Sequence, residues 1–215
     1  MSQKDVFLDG EGDAWFERNS GSSAAQEFPA GDRLLAALLQ LVEPAATTGA
    51  RILEIGCGEG ARLEWLTAQR GCICSGIDPS ARAVAAAVQR GIDARRGTAE
   101  RLDFADRAFD IVAFGFCLYL CDREDLFRIA CEADRVLRNP GWLLIYDFYS
   151  DEPRRREYHH RSGLFSHKMD YRRLFSWHPG YSIYSHQLLH HVTGGYTDDR
   201  DEWVAVSVLR KHLRQ

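Results

Sequence analysis

Leu53-Glu54-Ile55-Gly56-Cys57-Gly58-Glu59-Gly60-Ala61 decides the fold of this chain. A short buried-strand pattern, Arg51 to Ile55, runs into three glycines, and a helical pattern, Ala61 to Gln69, leaves them. Glycines permit unusual backbone angles and let a ligand approach the main chain. In an open α/β sheet such a turn lies at the carboxyl end of a strand, where ligands bind. Taken alone, Gly56-x-Gly58-x-x-Ala61 also satisfies the dinucleotide fingerprint. Two acids supply context. Glu54, two residues before the first glycine, can act on a cationic amino group and would repel a pyrophosphate. Asp78 stands 20 residues beyond Gly58, in Gly76-Ile77-Asp78-Pro79-Ser80, placed to accept from a ribose diol.

Working outward, Phe28 to Val42 carries Leu34, Leu35, Leu38, Leu39 and Val42 at helical spacing and stops before Pro44. Downstream come a strand, Cys72 to Ile77, and an alanine-rich helix, Ser80 to Arg90, with Ser80 as its cap. A third strand is expected near Ile92 to Arg96 and a fourth over Phe109 to Gly115. Glu124 to Leu137 reads as a helix ended by Asn139-Pro140-Gly141, and Trp142 to Phe148 as a fifth strand. Strand and helix alternating five times predict a doubly wound, mostly parallel α/β sheet covered on both faces. Tyr181 to Val192 and Glu202 to Leu209, separated by Thr193 to Asp199, predict a terminal antiparallel hairpin. A six-stranded dinucleotide-binding sheet, all parallel, would lack it.

The 215 residues, 45% hydrophobic and 27% charged, fit one soluble globular domain with a small embellishment. The longest apolar runs, such as Trp142-Leu143-Leu144-Ile145-Tyr146, are too short to cross a bilayer as a helix. Met1-Ser2-Gln3-Lys4-Asp5 does not open a secretory signal, so a cytoplasmic chain is expected. The six cysteines lack CxxC spacing and read as reduced, mostly buried thiols. A net charge of -4 disfavours nucleic acid as the partner. Asp151 to Gly180 is the exception, with seven Lys or Arg, four Asp or Glu, and His159, His160, His167 and His178.

Four motifs stand in order: Leu53 to Gly60, Gly76-Ile77-Asp78-Pro79-Ser80, Gly97-Thr98-Ala99-Glu100 and Phe109-Asp110-Ile111-Val112. Together they resemble the successive motifs of small-molecule class I S-adenosylmethionine-dependent methyltransferases, over roughly Phe28 to Phe148. The resemblance implies a seven-stranded Rossmann-like sheet closed by the hairpin, and S-adenosyl-L-methionine as cofactor. It places Glu54, Gly56, Cys57 and Gly58 around the methionine moiety, Asp78 with Pro79 at the ribose, and Thr98, Ala99 and Glu100 beside adenine. Many relatives have an aspartate where Thr98 stands, so Glu100 or the Ala99 backbone is expected to bear more of that recognition. Phe114-Gly115-Phe116-Cys117-Leu118-Tyr119 occupies the position where the family lines the methyl-transfer pocket, making Phe114, Phe116 and Tyr119 candidates there.

The resemblance further implies an N-terminal lid over residues 1–27, with Trp15 and Phe16 closing on the site, and an acceptor-specificity insert over residues 149–180, all within one domain spanning 1–215. In the insert, Tyr149 and Arg156 are candidate acceptor ligands, and His159 or His160 a candidate general base, with Tyr119 as another catalytic candidate. Arginines there suit a carboxylate or phosphate on the acceptor; the bland reading of the same charge run is a solvated helix face. His186, His190 and His191 lack a nearby acidic ligand, so no metal is expected. The expectation is methyl transfer to oxygen or nitrogen of a small molecule or saccharide, with RNA or protein modification and a non-catalytic cofactor-binding scaffold as alternatives.

Overall fold

The computed structural model describes residues 2–20, 29–42 and 49–213. The main sheet has seven strands in the order β3-β2-β1-β4-β5-β9-β8. They are β1 (Arg51–Ile55), β2 (Ile73–Asp78), β3 (Asp93–Arg96), β4 (Phe109–Gly115), β5 (Leu137–Phe148), β8 (Tyr181–His190) and β9 (Trp203–Lys211). The first five run parallel, and β9 is antiparallel to both β5 and β8, so the doubly wound sheet with its terminal hairpin is observed. Reversal of strand order on either side of β1 opens a crevice at the carboxyl ends of β1 and β4, the switch point where α/β sheets bind ligands.

Helices cover both faces because the central strands are apolar on both. Ile52, Ile111, Ala113, Leu144 and Val208 meet Leu34, Leu35 and Leu38 of α3 (Arg33–Val42) and Leu63 and Leu66 of α4 (Ala61–Arg70). The alternate residues Leu53, Val112, Phe114, Leu143 and Ile145 meet Ile129, Ala133 and Val136 of α6 (Leu126–Val136). Truncating one of these buried leucines to alanine would cost about 2–5 kcal/mol. On the flank, α5 (Ala81–Gln89) starts as expected, with Ser80 Oγ accepting from Ala83 N at 3.0 Å. Phe28, where the first sheet helix was expected to begin, and residues 21–27 of the expected lid lie outside the described residues.

Before the sheet, where an N-terminal lid is expected, α1 (Gln3–Val6), a π-helical segment (Phe7–Glu11) and α2 (Gly12–Asn19) form a jointed helical strap. Two regions depart from expectation. The fifth strand begins at Leu137 rather than Trp142, because a register shift between Phe109 and Ile111 lets β4 pair around Asn139-Pro140-Gly141. The charged run is no helix: β6 (Arg154–Glu157) and β7 (Phe165–Lys168) pair as a separate antiparallel hairpin, followed by the single turn α7 (Arg173–Ser176). All six cysteines are free; Cys57, Cys72 and Cys74 are buried, and Cys131 is exposed. Among the described residues no helix is long and apolar enough to cross a membrane.

Candidate active site

The chain leaves β1 at Gly56, whose φ of 80° suits glycine, and the amides of Gly56 and Cys57 both donate to Ile77 O (2.8 and 3.1 Å). A Cβ on Gly56 would stand 2.7 Å from Cys117 Cβ, so glycine also lets the β1 and β4 loops approach. Behind this turn lies a cavity of about 230 Å³ at the carboxyl ends of β1, β2 and β4.

Five carboxylates, those of Glu54, Asp78, Glu100, Asp122 and Asp125, line this cavity against two cations, Lys4 and Arg62. Glu54, 1% exposed, pairs through Oε1 with Arg62 Nη1. The Arg62 guanidinium also clasps Asp32, with Nη2 donating at 2.8 Å and Nε at 3.0 Å. Burial alone would lower the Arg62 pKa, but Glu54 and Asp32 more than offset it, and the group is held protonated. Burial pushes the Glu54 carboxyl up while Arg62 pulls against it. The second Glu54 oxygen, Oε2, is buried with no hydrogen-bond partner. Two carboxylates sharing one guanidinium, one of them with an orphaned oxygen, suit a ligand ammonium and oppose a pyrophosphate.

Asp78 accepts from Gly58 N through Oδ2 and from Ser80 N through Oδ1, both at 2.9 Å. Each oxygen keeps a lone pair for a ligand hydroxyl. Burial raises the Asp78 carboxyl, opposed by those two amides. At the far end, Thr98 Oγ1 donates to Glu100 Oε1 at 2.7 Å. The hydroxyl thus holds the Glu100 carboxylate beside position 98.

The strap roofs this cavity with Lys4, Phe7, Gly12 and Trp15. Asp122 accepts from the amides of Gln3 and Lys4 (2.9 Å each), and Lys4 Nζ donates to Asp125 at 2.6 Å, with Glu100 at 3.7 Å. Asp13 accepts from Ser80 Oγ at 2.7 Å and Arg82 N at 3.0 Å, tying α2 to the start of α5. Gly12 passes so close that a Cβ would sit 3.1 Å from Ser80 N. The strap also carries the hairpin: Phe165 N donates to Gln3 Oε1 at 2.5 Å, and Tyr158 and Leu164 pack on Val6 and Phe7.

Phe116 forms one wall, its backbone at φ 60°. Away from the cavity its ring meets Phe148 (4.8 Å between centroids), Tyr146 (5.0 Å) and Tyr119 (5.3 Å), and stacks with His191 (5.6 Å, 16°). Asp147, 2% exposed at the end of β5, holds the Phe116 loop by accepting from Leu118 N at 2.7 Å and Phe148 N at 2.8 Å. Burial pushes its pKa up to about 7 against those amides.

Of the residues singled out in the sequence, Glu54, Gly56, Cys57, Gly58, Asp78, Pro79, Thr98, Ala99, Glu100, Phe116 and Trp15 are brought together in the lining. Phe114 is not among them; it is fully buried in the core, pointing to the α6 side. Tyr119 stands just behind, its hydroxyl accepting from Trp15 Nε1 at 3.1 Å, and burial raises its pKa far enough to keep it protonated. Phe16 and Tyr149 lie outside the lining, and the Tyr149 hydroxyl donates to Asp151 at 3.0 Å. Arg156 is exposed on β6, and His159 and His160 are exposed at the hairpin turn with their rings 3.9 Å apart, so the structure does not bring that pair to the cavity. Among the described residues no group of three His, Cys, Asp or Glu could hold a metal ion.

Sequence reasoning missed Arg62, Lys4, Asp122, Asp125 and Asp147. Arg62 was within reach: an arginine in the first turn after the glycine loop opposes the helix dipole, and a buried acid such as Glu54 is what offsets that cost. The others come from segments distant in sequence and carried no local signal.

A profile described as a methyltransferase domain matches residues 53–145. Methyltransferase GfsG of Streptomyces halstedii is 32% identical over 127 residues, 55% of this chain and 44% of that protein. The chain spans less than half the length of the first curated relatives it matches, 42%, 44% and 38%. The putative methyltransferase in a complex with the Haloferax volcanii Trm112 activator superimposes with a TM-score of 0.69 at 17% identity, over 94% of this chain and 96% of that one. The 1,6-didemethyltoxoflavin-N1-methyltransferase of Burkholderia thailandensis, solved with S-adenosylhomocysteine, gives 0.64 at 16% identity, over 93% and 89%. Profile match and sheet order agree with the motif pattern: residues 53–145 resemble a methyltransferase domain, and the fold is that of the class I S-adenosylmethionine-dependent methyltransferases.

Proposed function

We propose that this chain binds S-adenosyl-L-methionine and transfers its methyl group to oxygen or nitrogen of a small or terminal acceptor, a biosynthetic metabolite or saccharide. The acid excess of the cavity, with Glu54 Oε2 unpartnered within it, carries the reading, because the cofactor brings an ammonium and a sulfonium. When bound, the cofactor supplies a methyl group on sulfur that is already a good leaving group, so alignment and exclusion of water provide most of the acceleration. Glu54 Oε2 would receive the ammonium, the free lone pairs of Asp78 the ribose hydroxyls, and Glu100, held by Thr98, would accept from the adenine amino group. Trp15 and Phe116, both in the lining, would shield the sulfonium from water.

Calorimetry with S-adenosylhomocysteine and with NAD, followed by incubation with methyl-labelled S-adenosylmethionine and an extract of the cells that make the protein, tests this reading. The expected result is tighter binding of S-adenosylhomocysteine and label in the small-molecule or saccharide fraction, lost with Asp78→Ala. Tighter binding of NAD overturns the cofactor, label in RNA or protein overturns the acceptor class, and binding without any label leaves a scaffold in place of an enzyme.

A further inference from the structure

The seven-stranded sheet ends in two unlike edges. At β3 the edge is four residues long and three of them, Asp93, Arg95 and Arg96, are charged, which guards a strand against pairing with another chain. At β8 it is ten residues long, Tyr181-Ser182-Ile183-Tyr184-Ser185-His186-Gln187-Leu188-Leu189-His190, without an Asp, Glu, Lys or Arg. Both ends of β8 are closed: Tyr181 N donates to His178 O at 3.0 Å, His190 N donates to Gly195 O at 2.7 Å, and Gly194 N donates to His190 O at 3.0 Å. Between these ends, among the described residues, the backbone of residues 182–189 bonds to β9 alone, so the N–H and C=O groups turned outward have no protein partner.

Apolar surface gathers at the same edge. Of the nine large apolar side chains exposed among the described residues, six lie on β8 or at its two ends: Trp177, Ile183, Tyr184, Val192, Tyr196 and Leu213. Leu213 reaches the start of β8 because His212 N donates to Gly180 O at 2.8 Å. The one extra residue in β8, Tyr184, lies with its ring against Trp142 (5.2 Å) and leaves residues 185–189 in regular step with β9. Charge is divided between the two ends. Beside the start of β8 stand Arg210, Lys211 and His212, and beyond its end the connection to β9 carries Asp198, Asp199, Asp201 and Glu202 against Arg200 alone. Arg210, stacked on Trp142 at 4.4 Å, forms no ion pair among the described residues, and neither do Asp198 and Glu202.

We infer that β8 pairs with β8 of a second copy of this chain, antiparallel and about a two-fold axis, joining the two sheets into one. Antiparallel pairing sets the basic end of each copy against the acidic connection of the other, twice by symmetry, whereas parallel pairing would set like charge against like. The uncharged middle of the strand leaves nothing to repel at the axis. Such a dimer is closed, because pairing consumes the β8 edge of both copies and the charged β3 edge does not extend it. With β5, β9 and β8 standing between the partner and the cavity strands, the partner supplies no residue to the cavity, and the inference stands apart from the methyl-transfer reading.

Sedimentation equilibrium of the full chain over a range of protein and salt concentrations, with amide hydrogen exchange on the same samples, tests the pairing. The expected result is a reversible monomer–dimer equilibrium whose dissociation constant rises with salt, as the charges at the strand ends are screened. Amides of residues 182–189 are expected to exchange more slowly where the dimer predominates than where the monomer does. Ile183→Lys and Gln187→Lys, each at an exposed position of β8, are expected to weaken dimerisation by about a hundredfold or more, because like charges are then set against each other across the interface. Their urea midpoints at dilution and their S-adenosylhomocysteine affinity are expected to match the wild type. A monomer at every concentration overturns the inference, as do assemblies larger than a dimer, and a dimer that neither lysine weakens places the interface elsewhere and overturns it too. Should a lysine variant fail to fold, exchange in the wild type decides: protection of residues 182–189 that is independent of concentration overturns the pairing. Failure of the wild type to bind S-adenosylhomocysteine removes the methyl-transfer reading and leaves this one standing.

Discussion

The two halves of the cavity are built by different means. On the sheet side, the floor is the carboxyl ends of β1, β2 and β4, each paired on both sides within the sheet, and its polar groups are backbone amides and short acids fixed by them. On the opposite side, the wall is the strap, held by side chains to the loop after β4 and to the hairpin β6–β7 behind it. A sheet end is rigid because its hydrogen bonds are cooperative and buried. A set of side-chain ties opens locally at low cost. The first half suits a ligand held in one fixed pose, and the second one admitted by local opening.

That contrast can be broken at several points. The largest effects belong to the sheet. Phe114→Ala is expected to lower stability by about 3–5 kcal/mol, read by urea denaturation, with substrate preference intact in the surviving folded protein. Phe116→Ala, two residues on, is expected to cost far less stability and far more kcat; equal effects at both positions would dissolve the distinction between floor and wall. Glu54→Ala is expected to abolish S-adenosylhomocysteine binding and to destabilise the fold by about 3 kcal/mol, because Arg62 then stays buried with Asp32 alone. Asp78→Ala is expected to weaken S-adenosylhomocysteine binding by about 1–3 kcal/mol, measured by calorimetry.

Asp147 sharpens the comparison because it joins the two halves. Its folded pKa of about 7 lies above the value in an unfolded chain, so the native state holds the proton more tightly. The sign follows: its contribution to stability is fully present below about pH 4 and is lost as pH rises to about 7, with a slope of at most about 1.4 kcal/mol per pH unit. Asp147→Asn is expected to flatten that slope in denaturation curves across this window. The smallest effect is Lys4→Ala, about 0.2–1 kcal/mol, since its pair with Asp125 is partly open to water. Its signature is kinetic, a faster exchange of bound S-adenosylhomocysteine by stopped flow.

The sheet half was legible in the sequence because its signals are local. An apolar run, a glycine turn and an acid at a strand end each lie within a few residues, and the helix cap at Ser80 was readable by the same rule. The acceptor half was not. Gly10 and Gly12 interrupt the periodicity of the strap, which was legible only as the lid that the resemblance implies, and three consecutive arginines carry no alternation to mark β6 as a strand. Lys4 and Asp125 meet across 121 residues, and no spacing rule reaches that far. The departure at Thr98 was legible as a missing acid, and the bond to Glu100 supplies its physical explanation. His159 and His160 drew attention by residue type alone, whereas the imidazole that touches a cavity wall, His191, sits in a connection chosen by topology.

The backbone of Phe116 carries one more consequence. At φ 60° a residue with a Cβ is held in a conformation that costs about 1–2 kcal/mol, and glycine would adopt it freely. The backbone alone would favour Phe116→Gly, and the variant is expected to recover that cost while losing the contacts with Phe148, Tyr146, Tyr119 and His191. A large aromatic kept where the backbone would rather have none marks position 116 as a place where the side chain, wall of the cavity and partner of four rings, outweighs the preference of the main chain.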